Sequence, residues 1–265
     1  MFQAFILGIV QGVTEFLPVS SSGHLVLIPA VLDWNSPALV FDATVHLATM
    51  LAVVLVFWKD IRDIIIAWFG QLKLGKPFAT TESRLGWWII IGTIPGVLAG
   101  LLLKDTFEDL FGNPRAAGAF LLVTAIVLVL AELLGKRKKN LDSMSWLDGL
   151  LIGIGQAVAI APGISRSGAT ITVGMLRGLT RESSARYSFI LALPIIFGAW
   201  LVQFYDIIGQ GGLSAEIPVL LVGFFSAGIT GYLAIRWLLN YVRQHRLYPF
   251  AVYCLVIGIL AIIFL

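Results

Sequence analysis

The sequence predicts an all-α polytopic membrane protein. Six full spans and two broken, re-entrant helical hairpins are expected to form two inverted-topology repeats. Three observations predict it. The chain is 58% hydrophobic and only 12% charged, with a mean hydropathy of +0.94, whereas a soluble domain carries about 25% charged residues. Six stretches are apolar and long enough to cross a bilayer. Two more apolar stretches are interrupted in the middle by Pro, Gly and Ser, and these two match each other.

In chain order, the first broken stretch covers 2–30, with LPVSSSGH at its centre, and spans follow at 42–58, 87–103 and 117–134. The second broken stretch covers 148–176, with APGISRSGAT at its centre, and spans follow at 188–203, 217–235 and 250–265. A helix needs roughly 17–25 residues to cross. Each interruption reads as an unwound turn between two half-helices. Irregular backbone survives at membrane depth only inside protein or along a wet cavity.

The whole chain, 1–265, reads as one membrane domain, with repeat one at about 1–135 and repeat two at about 146–265. The 59–86 stretch reads as a loop without chemistry. The N-terminal MFQAFILGIVQG lacks the basic region of a signal peptide and reads as part of the mature fold. The single cysteine, Cys254, lies in an apolar run as a small core or lipid-facing residue and has no disulfide partner in the chain. Trp87, Trp88, Trp200 and Trp237 fall near span ends, as aromatic-belt residues do.

The repeat is visible at an offset of 145 positions without a gap. Gly8, Ile9, Gln11, Val13, Ser20, Ser22 and Gly23 meet Gly153, Ile154, Gln156, Val158, Ser165, Ser167 and Gly168, seven identities in the twenty positions from Gly8 to Leu27. A re-entrant hairpin leaves on the side it entered, and three spans then cross to the other side. The second copy is therefore inverted, an architecture that places a site at the repeat interface.

Basic residues test this topology. The loops near 59–86, 135–150, 177–187 and 236–249 carry 5, 4, 3 and 3 Lys or Arg, and those near 104–116 and 204–216 carry 2 and 0. The inverted repeat puts every basic-rich loop on one side, cytoplasmic by the positive-inside rule. Both termini then face outward. GKRKKN at 135–140 reads as a topology anchor touching anionic lipid, and the net charge of +3 does not call for nucleic acid.

Ionisable groups at membrane depth are costly and point to function. Glu15 lies four residues after Gln11, on the same helical face. His24 and Ser20–Ser22 follow on the turn beyond Pro18, and Arg166 aligns with Ser21 in the other turn. Hairpins meeting tip to tip would gather a carboxylate, an imidazole, several hydroxyls and a guanidinium. Gly23, Gly163 and Gly168 allow close approach, and free backbone N–H groups at half-helix ends complete an anion site of the kind phosphate favours.

Each residue also has a plainer reading. Glu15 and Arg166 make a buried ion pair locking the repeats, His24 a satisfied core histidine, and the serines caps or packing residues. Their combination in two repeat-related turns favours an intramembrane site for a phosphate-like anion, with a nucleophile and an acid/base. Asp42 and His46, one helical turn apart, read as the interfacial end of a span more than as site lining. Glu132 is expected to snorkel toward the nearby basic cluster, and His245 carries no assigned role. No Cys/His set has zinc spacing, no phosphate-binding P-loop is present, and SSSGH is not a nucleophile elbow.

QGVTEFLPVSSSGH (Gln11–His24) and PGISRSGAT (Pro162–Thr170) together resemble the undecaprenyl-pyrophosphate phosphatase family, also called bacitracin-resistance proteins. The resemblance extends over essentially the whole chain. It implies hydrolysis of undecaprenyl pyrophosphate to undecaprenyl phosphate and inorganic phosphate at the outer face of the bacterial inner membrane. That reaction recycles the lipid carrier for peptidoglycan and other wall polymers and removes the target of bacitracin. The family's first motif opens with Glu or Gln; here it is Gln11, which counts against mechanisms needing two carboxylates.

By the same resemblance Ser21 is the nucleophile, with His24 as the alternative. Glu15 activates it or holds a divalent cation, Mg²⁺ or Ca²⁺, and Arg166 holds the phosphate. Ser165, Ser167 and Thr170 line the phosphate pocket, and Gln11, Ser20, Ser22, Gly23 and Gly168 join them as substrate-binding candidates. The expected partners are the polyprenyl pyrophosphate and membrane lipids, and a homodimer is left open. Two other classes compete: an inverted-repeat transporter or flippase of undecaprenyl phosphate or a small anion, and an intramembrane serine protease using Ser21 and His24. A serine–histidine pair beside the anion site disfavours the first, and an arginine in the facing turn disfavours the second.

Overall fold

A computed structural model describes residues 1–35, 38–103, 110, 112–209 and 217–265. Among these the chain forms eleven α-helices. In order they are α1 (Phe2–Phe16), α2 (Ser21–Val31), α3 (Leu39–Val56), α4 (Trp58–Lys73), α5 (Thr81–Leu102) and α6 (Pro114–Leu134), followed by α7 (Trp146–Val158), α8 (Arg166–Leu176), α9 (Arg181–Gly209), α10 (Ile217–Gln244) and α11 (Tyr248–Phe264). Five of them, α3, α5, α6, α9 and α10, are apolar and long enough to cross a membrane. The sixth expected span, 250–265, falls on α11, which has 17 residues. Large apolar side chains such as Leu55, Leu101, Leu133, Ile229 and Ile263 stand exposed on the outside, as a protein solvated by lipid requires.

Both broken stretches become helix–turn–helix hairpins. In the first, Leu17 ends α1 in an extended conformation (φ −62°, ψ 139°), as a residue before proline favours. Ser20 then starts α2 with φ +69°, and its hydroxyl accepts from Gly23 N at 3.2 Å as an N-cap. In the second, Gly163 takes φ +100° in the turn and Ser165 caps α8, accepting from Gly168 N at 3.0 Å. The two caps are the residues that the repeat alignment pairs.

Close packing fixes the first half of each hairpin. α1 lies along α10, and α7 lies along α5. A Cβ on Gly12 would stand 2.0 Å from Thr230 Oγ1 and 2.4 Å from Ala227 O, and one on Gly153 would stand 2.2 Å from Gly92 O. Small residues here let helix backbones approach, the packing that serves in lipid. α6 packs on α11 and α3 on α9, so each half of the chain is completed by helices of the other. A core of Phe16, Phe57, Leu121, Ile171, Phe189 and Ile235 lies between them, with Phe16 edge-on to Phe189 at 5.3 Å.

The four basic-rich segments meet at one end of the helices. Arg186 pairs with Asp60 at 2.9 Å, Arg177 with Asp148 at 2.7 Å and Arg243 with Glu182 at 2.7 Å. The basic-poor loops near 104–116 and 204–216 fall in large part outside the described residues.

Two expectations are corrected here. The 59–86 stretch is not only a loop: α4 buries Ile64 and turns Ile65, Ile66 and Phe69 outward. Its Lys59, Asp60, Arg62 and Asp63 interrupt the hydropathy of a span but not the period of an amphipathic helix. Glu132 does not snorkel. Its side chain is wholly buried and accepts from Arg137 Nη1 at 3.0 Å, Arg181 Nε at 2.6 Å and the Leu247 backbone at 3.0 Å. Arginines come to the carboxylate, and the carboxylate ties α6, α9 and the α10–α11 link together. Cys254 is buried in the core. His245 is exposed and stacks on Tyr241.

Candidate active site

The two hairpin tips touch. Gly163 N donates to Ser20 Oγ at 3.2 Å, and Ser167 Oγ donates to Leu17 O at 3.1 Å. Thr124 of α6 pins the second turn, donating to Gly163 O and accepting from Ser165 N, both at 3.0 Å. Gly23 keeps the junction close, because a Cβ there would stand in tight contact, 3.1 Å from Gly163 Cα.

Glu15 sits at this junction, 6% exposed. Its Oε1 accepts from Arg166 Nη2 at 2.7 Å. Its Oε2 accepts from Ser21 Oγ at 2.5 Å and from Gln11 Nε2 at 3.1 Å. The carboxylate is therefore held from both hairpins, with the Ser21 hydroxyl already aimed at it. A hydroxyl on a buried carboxylate is an arrangement that activates the oxygen as a nucleophile. A guanidinium beside it can neutralise phosphate oxygens.

A cavity of about 300 Å³ opens over these groups. The first hairpin lines it with Thr14, Glu15, Ser20, Ser21 and Ser22, and the second with Gln156, Ala159, Ile160, Ser165 and Arg166. Asp42 and His46 of α3 and Ile195, Ile196, Trp200 and Gln203 of α9 complete the wall. The first hairpin thus offers the carboxylate and hydroxyls, while the second offers the cation and an apolar face.

Not every candidate residue reaches this cavity. His24 turns away from Ser21: its Nδ1 lies 2.7 Å from Ser20 O and its Nε2 2.7 Å from Tyr253 Oη. In this geometry it is the satisfied core histidine. Gln11 is fully buried behind Glu15. Ser167 is spent on Leu17, and Thr170 Oγ1 lies 2.6 Å from Ser188 Oγ and bonds back to Arg166 O. Gly23 and Gly168 serve the junction and the cap. Of the serines, Ser20 and Ser165 act as caps and still line the cavity.

The donor set does not make a Mg²⁺ or Ca²⁺ site. Such ions take six or more oxygens, whereas the hairpin junction offers the Glu15 carboxylate, which already accepts from Arg166, Ser21 and Gln11. Among the described residues no three His, Cys, Asp or Glu side chains gather as a metal-binding group. No step is therefore assigned to a protein-held cation.

Asp42 and His46 are a correction in the other direction. They line the cavity, and His46 Nε2 lies 3.8 Å from Glu15 Oε2. The signal was present: two ionisable residues four apart in an apolar span share a face. Gln156 was visible as the repeat mate of Gln11 but was not taken as a site residue. It is 2% exposed, and neither of its amide atoms has a hydrogen-bond partner.

Comparison with known proteins agrees with the motifs. Curated relatives include an undecaprenyl-diphosphatase of Chlorobium phaeobacteroides, 43% identical over 98% of this chain and 95% of the relative. Another, from Thermomicrobium roseum, is 43% identical over 99% of this chain and 97% of its own. A third, from Chlorobaculum parvum, is 45% identical over 99% and 96%. The family model of the bacitracin resistance protein BacA matches residues 4–260, and with those relatives it shows that the chain belongs to the BacA family of membrane proteins.

Proposed function

We propose that this protein hydrolyses undecaprenyl pyrophosphate to undecaprenyl phosphate and inorganic phosphate, acting at the outer face of the bacterial inner membrane. One observation carries the reading: the Ser21 hydroxyl donates to a Glu15 carboxylate that Arg166 holds from the other hairpin, at the edge of a cavity. The chain's relatives are named undecaprenyl-diphosphatase.

In this reading Ser21 Oγ attacks the terminal phosphorus and Glu15 receives its proton. Arg166 and the backbone N–H groups at the start of α8 hold the equatorial oxygens, where phosphoryl transfer most needs charge neutralised. Ser20, Ser22 and Ser165 add hydroxyls to the oxygen shell, and Gln156 adds an amide. The apolar face of Ile160, Ile195, Ile196 and Trp200 takes the first prenyl units, so the tail stays in lipid while the head group enters the cavity. Loss of the pyrophosphate removes the target of bacitracin and supports cell-wall carrier recycling.

The two halves of the chain are read as inverted repeats. The exchange of partners, α1 on α10 and α7 on α5, and the matching caps Ser20 and Ser165 support this. The side that gathers the basic segments is cytoplasmic by the positive-inside rule, which puts both termini outside.

The test is phosphate release from undecaprenyl pyrophosphate by the purified protein in detergent, beside folded Ser21→Ala and Arg166→Ala variants. Release by the wild type and its loss in both variants is expected. Absence of release by the wild type across divalent cations would sink the reading and bring the transporter forward.

A further inference from the structure

We propose that His46 is the proton outlet of this site: a positioning residue that acts through Glu15 and is itself oriented by Asp42. The inference rests on the phosphatase reading and extends it to helix α3, which neither hairpin motif includes.

The geometry is directional. His46 Nδ1 lies 2.9 Å from the Asp42 backbone carbonyl and 3.5 Å from Asp42 Oδ1. A carbonyl oxygen only accepts, so Nδ1 carries the hydrogen and the neutral ring presents its lone pair at Nε2. That nitrogen faces Glu15 Oε2 at 3.8 Å, the same oxygen that accepts from Ser21. One water or a small side-chain rotation closes such a gap. Exposure rises along the path, from 5% for the Glu15 side chain to 26% for His46 and 31% for Asp42. A proton on Glu15 therefore has one basic nitrogen beside it, on the cavity side.

The reaction creates the need for such an outlet. In the first half, the bond from Ser21 Oγ to phosphorus forms as the bond from phosphorus to the bridging oxygen breaks. The electron pair leaves with undecaprenyl phosphate, and the Ser21 proton moves to Glu15. Glu15 hands that proton to His46 Nε2 and becomes a carboxylate again. In the second half, water attacks the phosphoserine and gives a proton to Glu15, and the Ser21 oxygen leaves and takes that proton back. His46 then releases the first proton to the cavity. One water is consumed and one proton is set free.

The charged groups around the imidazole are Glu15 on α1, Asp42 on its own helix and Arg166 on α8. Activity that needs a neutral His46 fails as pH falls through the range in which imidazoles take up a proton.

The experiment measures kcat and KM of full-length His46→Gln and wild type across this range in detergent, with undecaprenyl pyrophosphate as substrate. The expected result is a kcat lower by about 10²-fold, the lower end of acid–base contributions, with KM within about twofold. The acidic limb of the kcat profile should be gone. Wild type that releases no phosphate fails the phosphatase reading itself. Wild-type turnover with the same kcat or the same acidic limb in His46→Gln overturns the relay alone. Should His46→Gln not purify as a folded protein, Asp42→Asn carries the test. It keeps the backbone carbonyl and removes one negative charge beside the ring, so its acidic limb should move to lower pH; an unmoved limb overturns the proposal.

Discussion

Arg166 Nη2 stands 2.7 Å from Glu15 Oε1, although 151 positions separate the two residues. This contact joins the hairpin tips and sets the chemistry at once. It neutralises a carboxylate buried among apolar helices, and it keeps a guanidinium at the cavity where a phosphate would arrive. Neither hairpin alone holds a balanced charge at that depth.

Removing one partner exposes both roles. Arg166→Ala leaves Glu15 as an uncompensated buried charge, a situation that costs roughly 3–5 kcal/mol. The melting temperature should fall, and phosphate release should drop at least about 10²-fold, the cost of losing one transition-state donor. Arg166→Lys keeps the charge but not the planar fork. It should recover most of the stability and little of the activity, as thermal unfolding and initial rates will show. Recovery of both would mean that only the net charge matters.

The placement of His24 separates the two nucleophile assignments. Both of its ring nitrogens are engaged, one by Ser20 O and one by Tyr253 Oη, while Ser21 is on Glu15. A phosphoenzyme trapped during turnover should therefore be acid-stable, as a phosphoserine is, and absent in Ser21→Ala. An acid-labile phosphoenzyme would put the phosphate on histidine instead. Tyr253→Phe, which loses one neutral hydrogen bond, should cost about 1 kcal/mol of stability and leave the trapped species unchanged.

The membrane class, the broken hairpins and the residues of the junction were legible because they rest on strong local signals: long apolar runs, Pro and Gly inside them, and a carboxylate and an arginine at a depth where neither is cheap. The division of labour among the serines was not legible. Ser20, Ser22, Ser165 and Ser167 look alike in sequence, and only the tip-to-tip contact decides which cap, which bridge and which face the cavity. His46 was passed over because nothing local tells the interfacial end of a span from a wall of the site. That depends on α3 meeting α1, a contact between distant parts of the chain. α4 was missed because its charges lower mean hydropathy while its apolar face persists.

The close approach of α1 to α10 gives a prediction remote from the chemistry. A side chain at Gly12 has no room against Thr230 and Ala227, and Glu15 lies one turn further along α1. Gly12→Val should push α1 away from α10, lower the melting temperature, and shift Glu15 relative to Arg166. A misplacement of about 1 Å can cost about 10²-fold in rate. Activity should therefore fall even in the fraction that remains folded by gel filtration. A folded Gly12→Val with full activity would show that α1 tolerates displacement.

Gln156 separates stability from binding. Its amide is 2% exposed, lines the cavity, and has no partner for either polar atom, whereas its repeat mate Gln11 donates to Glu15. An unpaired buried polar atom costs about 1–3 kcal/mol, a cost that the free protein bears. Gln156→Leu keeps much of the volume and removes the polar atoms, so the melting temperature should hold or rise. If the amide serves the head group, the same variant should raise KM for undecaprenyl pyrophosphate about tenfold, equivalent to about 1.4 kcal/mol, with kcat less affected. A stabilised variant with an unchanged KM would make Gln156 a packing compromise between α7 and its neighbours, and would leave recognition of the head group to Arg166 and the hydroxyls.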